Sequence, residues 1–315
     1  MPVDVFATSP HYVHHLRPVW DALPEPYRGD WYGEPHRPIL PSTDHDRPIV
    51  VASFGDLRDA RNAGRKRIIM AQHGCGMSYS NDHPAYAGGR RREGVVLLLN
   101  PNGYAHDRDR AAHPHIPSVI IGCPKLDPWW DAPTPAHRRR TVCVSFHWPG
   151  GHNPPETRWA FPYYRAALKS LKKHADKHGY VVIGHGHPRA QPRFLFPFWD
   201  ECGFDKWSNF RSVMIGADLY VCDNSSTMYE FAALDRPVLT LNSPTYRRDI
   251  NHGIRFWEAI PGLQADDGGE LPTRILETLE DPAEARVLRR AAVDAVYPVG
   301  RGNAAQLAAD AIMGV

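Results

Sequence analysis

The groups best suited to chemistry fall in five short segments, each directly after an apolar run of strand length. They are Ser9-Pro10-His11, Gln72-His73-Gly74-Cys75-Gly76, Ser145-Phe146-His147-Trp148, His185-Gly186-His187-Pro188 and Asp223-Asn224-Ser225-Ser226. A neutral imidazole takes a proton from an attacking hydroxyl, a role open to His73. A protonated or donor-tautomer imidazole bonds a phosphoryl oxygen, a role open to His187, which follows two glycines that let backbone approach a ligand. Asn224, Ser225 and Ser226 precede the helical pattern MYEFAAL, where amides and hydroxyls can hold an anion. The same residues serve equally as a plain helix cap. His11 and His14 could hold an acceptor or lie on a helix surface, and Glu230 could orient a ribose hydroxyl or face solvent. Cys75 competes with His73 as a nucleophile, but nothing around it marks an activated thiol.

The elements that must position these groups read as alternating strands and helices. Strand-length apolar runs cover Val3–Ala7, Pro48–Phe54, Arg67–Ala71, Val95–Asn100, Ser118–Ile121, Val142–Phe146, Tyr180–Gly184, Leu219–Cys222 and Pro237–Leu241. Most are continuously apolar, as strands covered on both faces are. Helical patterns lie over His11–Leu23, Asp56–Ala63, Arg158–His178, Ser226–Leu234, Leu271–Leu279 and Ala304–Met313. This alternation predicts an α/β protein with parallel, doubly wound sheets, whose ligands gather outside the carboxyl ends of the strands. The Trp- and Pro-rich segment Pro124–Pro135 reads as a connection. It suggests domains over residues 1–130 and 131–298, with a last helix in 299–315 that could pack back on the first.

The 315 residues include 37 basic and 35 acidic side chains and are 42% apolar, which excludes disorder, collagen-like repeats and a large nucleic-acid-binding face. Arg90-Arg91-Arg92 and Arg138-Arg139-Arg140 could still meet phosphates, or be solvated loops. No apolar stretch reaches the roughly 18 residues that cross a bilayer, and MPVDVFATSP lacks a basic n-region, so a cytoplasmic location is expected, with peripheral membrane contact left open. Cys75, Cys123, Cys143, Cys202 and Cys222 form no C-x-x-C pair and are expected to be small buried hydrophobes. No metal is expected: His14-His15, His113-x-His115, His185-x-His187, Asp44-His45-Asp46 and Asp107-Arg108-Asp109 lack a convincing set of paired ligands. Neither G-x-x-x-x-G-K-[ST] nor G-x-G-x-x-G after the first strand is present, which disfavours P-loop and nicotinamide chemistry.

The run from Ala217 to Pro237, ADLYVCDNSSTMYEFAALDRP, resembles the signature of the CDP-glycerol glycerophosphotransferase family of teichoic-acid polymerases and primases, about A-D-x-x-x-x-D-Y-S-S-x-x-x-[DE]-[FY]-x-x-[LM]-[DN]-[KR]-P. Gln72-His73-Gly74 is similar to the family's Q-x-W-H-G, Gly122-Cys123-Pro124-Lys125-Leu126-Asp127 to G-x-P-R-x-D, and His187-Pro188 to its H-P. Gly300-Arg301-Gly302-Asn303-Ala304-Ala305 is similar to its closing D-G-x-A-S.

The resemblance implies a GT-B fold: two Rossmann-like halves facing across a cleft, with the nucleotide donor held by the C-terminal half. It implies His73 as general base, with His187, Ser225, Ser226 and Asn224 on the donor phosphates, and no D-x-D metal. His11, His147, His185, Glu230 and Gly122 are expected nucleotide or acceptor contacts. The expected reaction moves glycerol phosphate from a CDP-activated donor to a hydroxyl on a glycan, lipid-linked or nucleic-acid acceptor, without a cofactor. Two other readings keep the cleft: a UDP- or GDP-sugar glycosyltransferase or UDP-sugar epimerase-like enzyme, and a non-catalytic nucleotide-binding protein.

Overall fold

Uninterrupted Val, Ile and Leu runs become the central strands of two parallel sheets, because only a strand covered on both faces can bury every side chain. The computed structural model describes residues 1–34, 40, 45–74, 92–131, 139–149, 159–246 and 259–315. Its first sheet contains β1 (Val3–Ala7), β2 (Arg28–Gly33), β3 (Ile49–Val51), β4 (Ile68–Ala71), β5 (Val95–Asn100) and β6 (Ser118–Ile120), in the order β2-β1-β3-β4-β5-β6. The second contains β7 (Thr141–Ser145), β8 (Val181–Gly184), β9 (Asp205–Lys206), β10 (Leu219–Cys222), β11 (Val238–Leu241) and β12 (Leu263–Ala265), in the order β12-β11-β10-β7-β8-β9. Every pairing is parallel.

Each sheet is doubly wound. In the second, the chain winds outward from β7 through β8 and β9, then restarts at β10 and winds the other way, so the strand order reverses between β7 and β10. In the first, the reversal falls between β1 and β3. Loops splay apart at such points, and ligands enter there.

The helices are α1 (Pro10–Ala22), α2 (Phe54–Asn62), α3 (Gly103–Ala112), α4 (Phe161–His178), α5 (Phe196–Cys202), α6 (Phe210–Gly216), α7 (Thr227–Ala232), α8 (Leu271–Leu279), α9 (Ala283–Val296) and α10 (Ala304–Met313). The described chain forms two compact units, one of residues 1–130 and 295–315 and the other of 131–246 and 259–294. Phe161, Tyr164, Leu168, Leu171 and Ala175 form one stripe of α4 buried on the second sheet. Ala308, Ala309 and Ile312 of α10 share a core with Tyr12, Leu16 and Val19 of α1. Among the described residues no helix is long and apolar enough to cross a membrane.

Several expectations are corrected here. The apolar run Pro48–Phe54 is not strand throughout: Ser53 accepts a hydrogen bond from the Asp56 amide at 3.0 Å and starts α2 at Phe54. In the expected connection Pro124–Pro135, residues 124–129 form a 3₁₀ segment packed within the first unit, and the units divide after Trp130. In that segment Asp127 accepts the Ala304 and Ala305 amides at 2.9 and 2.7 Å, taking up two orphan donors at the start of α10.

Gly122, expected to touch nucleotide or acceptor, has φ +81° and lies so close to Val299 that an added Cβ would sit 2.3 Å from its carbonyl oxygen. The chain's own backbone fills the space that its missing side chain leaves. The segments GCPKLD and GRGNAA, far apart in sequence, are thus halves of one structural clasp. Asp127→Ala is expected to destabilise the protein by about 1–2 kcal/mol, as loss of a helix cap does; the midpoint and slope of a urea unfolding curve would measure it.

Candidate functional site

In the first unit, the loops after β1 and β4 bring four rings together. The His73 ring lies 4.8 Å from that of Tyr12, 6.1 Å from His11 and 6.2 Å from His15. His73 is exposed, and its Nδ1 meets the carbonyl oxygen of Ala52, at the end of β3. A carbonyl only accepts, so Nδ1 carries the proton, and in the neutral ring Nε2 then carries the lone pair. That tautomer is the one a general base needs. Gln72 beside it donates to Asp109 at 2.9 Å, and Asp109 is held at 2.9 Å by buried Arg92.

Tyr12 had no sequence signal of its own beyond helical spacing, and His15 none beyond its pairing with His14. Of the α1 histidines, His11 and His15 are in ring contact with His73. Burial pushes the pKa of His15 well below the ordinary value, and Lys125 and His73 nearby push it the same way.

In the second unit, the ends of β7, β8 and β10 converge beside the point where the strand order reverses. Asp223 is fully buried and ties this region together: its Oδ1 accepts the His147 amide at 2.7 Å and its Oδ2 the Ala160 amide at 2.8 Å. Burial raises its carboxyl to about 7 despite those two bonds. His147 and His187 face each other with ring centroids 5.0 Å apart. His187 is half-buried, and its Nδ1 accepts the Arg189 amide at 3.1 Å. In the neutral ring the proton then sits on Nε2, which makes His187 a hydrogen-bond donor.

At the end of β10, hydroxyls form a chain. Thr227 Oγ1 donates to Ser225 Oγ at 2.9 Å, so in the 2.9 Å contact between Tyr220 and Thr227 the tyrosine must be the donor. Tyr220 thus donates to Thr227 and Thr227 to Ser225, which leaves the Ser225 hydrogen for a further acceptor. Ser225 and Ser226 are half-buried, whereas Asn224 is buried.

The expected Ser/Asn helix cap takes a different form. Ser226 precedes Thr227 in helical geometry with no side-chain cap bond, and Ser225 makes only a long contact, 3.5 Å, with the Thr227 amide. Glu230 does not face solvent: it is 1% exposed, buried in the first turn of α7. His185 is also buried, with Nδ1 3.0 Å from Ser145 Oγ. Gly184 and Gly186 leave room for protein rather than ligand, since an added Cβ would meet the Trp199 ring at 2.3 Å or Leu195 at 2.1 Å.

The described members of the basic clusters are committed to their own chain. Arg92 is buried against Asp109, Arg139 bonds the Tyr180 carbonyl, and Arg140 pairs with Glu280 at 2.7 Å. The same pair removes Asp109 from any D-x-D arrangement. Cys123, Cys143, Cys202 and Cys222 are buried thiols outside any disulfide, and burial pushes Cys143 and Cys222 well above the ordinary thiol value. Cys75, Arg90, Arg91, Arg138 and Asp44 lie outside the described residues. Among the described residues, no three His, Cys, Asp or Glu side chains converge as a metal-binding group.

Residues 134–314 match the family model described as CDP-Glycerol:Poly(glycerophosphate) glycerophosphotransferase. Among solved structures, the wall teichoic acid polymerase TagF is similar with a TM-score of 0.66 and 14% identity, over 99% of this chain and 88% of that one. UDP-GlcNAc 2-epimerase from Methanocaldococcus jannaschii is similar with a TM-score of 0.59 and 11% identity, over the whole of both chains. At such identities the likeness is one of fold, and with two six-stranded doubly wound sheets that fold is GT-B-like. None of the curated proteins matches the sequence.

Proposed function

The chain belongs to the CDP-glycerol:poly(glycerophosphate) glycerophosphotransferase family and is a transferase, and on that premise we propose that it moves glycerol phosphate from CDP-glycerol to an acceptor hydroxyl. The complementary tautomers of two histidines carry this reading. His73, with Nδ1 on the Ala52 carbonyl, presents an accepting Nε2; His187, with Nδ1 taken by the Arg189 amide, presents a donating Nε2–H.

In the proposed step the acceptor oxygen attacks the phosphorus of the glycerol phosphate group. The hydroxyl proton passes to His73 Nε2, the bond from phosphorus to the bridging oxygen breaks, and CMP leaves with that oxygen. His187 and the Ser225 and Ser226 hydroxyls bind the diphosphate and meet the charge that gathers as CMP departs, with no divalent cation required. Donor groups already pointed at that charge need no reorganisation during the step. Asn224, being buried, contributes through the backbone of the turn rather than as an exposed side chain.

Incubation with CDP-glycerol, UDP-glucose or UDP-N-acetylglucosamine in the presence of a glycerol-phosphate acceptor tests the assignment. CMP release from CDP-glycerol alone is expected, and UDP release would overturn it. His187→Ala is expected to weaken CDP-glycerol binding roughly 10- to 100-fold, the worth of one hydrogen bond to a charged group. Calorimetric titration of the donor measures this, and an unchanged affinity would remove His187 from the donor site.

A further inference from the structure

The proposed transfer leaves unused an arginine and an indole at the donor-binding end of the second sheet. Arg189 follows His187 by two residues, and its amide is the group that bonds His187 Nδ1 at 3.1 Å. Its guanidinium lies over the Trp148 ring, 4.9 Å from the centroid, and the Trp148 ring lies 6.2 Å from that of His187. Arg189 is exposed, and among the described residues its guanidinium has the Trp148 ring and no carboxylate as its partner. The carboxylate at the ends of these strands, Asp223, has both oxygens turned to the backbone amides of His147 and Ala160. Among the described residues, therefore, no carboxylate neutralises the positive charge of Arg189.

We infer that Arg189 is a second phosphate-binding group of the donor site, with Trp148 as the platform on which it rests. This rests on the donor site proposed above. A diphosphate presents more acceptor oxygens than one imidazole N–H and two hydroxyls can meet, and a guanidinium supplies a planar fork of N–H donors matched to phosphate. An exposed cation–π contact is a weak interaction, readily exchanged for a charge-assisted bond to a dianion. The shared link to His187 makes the arrangement specific: one backbone amide sets both the tautomer of the imidazole and the origin of the arginine side chain. Arg189 thus distinguishes a nucleoside diphosphate from a monophosphate, because the second phosphate is what the guanidinium adds to the contacts of His187 and Ser225.

Calorimetric titrations of CDP and CMP into the wild-type protein, Arg189→Gln, Arg189→Lys and Trp148→Phe test the inference, with melting temperatures as a check that each variant is folded. Arg189→Gln is expected to lose at least 10-fold in affinity for CDP and no more than 3-fold for CMP. Arg189→Lys should fall between, keeping the charge and losing the fork. CDP should also change a tryptophan fluorescence signal that Trp148→Phe lacks, as the guanidinium leaves the ring. Equal affinities of Arg189→Gln and wild type for CDP, or equal losses for CDP and CMP, would overturn the inference while leaving the donor site intact. If the wild-type protein binds neither nucleotide, the donor site and the inference fall together; if His187→Ala loses affinity for CDP and Arg189→Gln does not, the inference alone falls.

Discussion

His73→Ala is expected to lower kcat by roughly 10²- to 10⁴-fold, the usual contribution of a positioned general base, and to leave CDP-glycerol affinity nearly unchanged. The large effect follows from how completely the ring is committed. The Ala52 carbonyl fixes the proton on Nδ1, and the rings of Tyr12, His11 and His15 bound its position. Burial keeps His15 neutral at pH 7 and so avoids a cation pressed against the base. Single-turnover release of CMP in the presence of acceptor measures kcat free of product release, and donor calorimetry measures affinity. Turnover in His73→Ala within a few-fold of wild type would remove His73 from the proton transfer.

Asp223→Ala should have the largest effect on stability, about 2–4 kcal/mol near pH 5, because it leaves two backbone amides without their acceptor in a buried place. The pH dependence has a definite sign. The carboxyl is raised to about 7 in the folded protein, from an ordinary value of 3.8, so between those values the native state binds more protons than the unfolded one. Its contribution to stability is full below about pH 4 and declines as pH rises to about 7. The variant lacks this decline, so the gap between wild type and Asp223→Ala narrows from pH 5 to pH 8. Urea unfolding at several pH values reads the gap directly; a gap that stays constant from pH 5 to pH 8 would show that Asp223 ionises at an ordinary carboxylate value. Donor affinity should fall in the same variant, since the His147 amide loses its anchor.

Much of this fold could be read from single segments. Val3–Ala7, Val95–Asn100 and Leu219–Cys222, and the helices Leu271–Leu279 and Ala304–Met313, have the boundaries that their apolar patterns predict. Other elements lack such a pattern for physical reasons. β2 is an edge strand with exposed Arg28 and Asp30, so its side chains are not uniformly apolar. In α9 the apolar stripe is blurred, because Val287 and Leu288 face solvent while Arg289 is buried against Asp235 and Asp281. The two residues of β9 are too few to carry a period.

Residue order determines which side chains stand at the carboxyl ends of the strands, because burial on both faces marks the strands and the chain simply continues into the loops. It therefore placed His73, His187 and Ser225 where a parallel sheet meets its ligands. Tertiary structure alone decides what each can do there. The proton of His73 is set by Ala52, the His147 amide is held by Asp223, and Arg92 is withdrawn into an ion pair with Asp109. Those partners come from other strands and loops, and hydrogen bonding and desolvation depend on the neighbour in space rather than the neighbour in the chain.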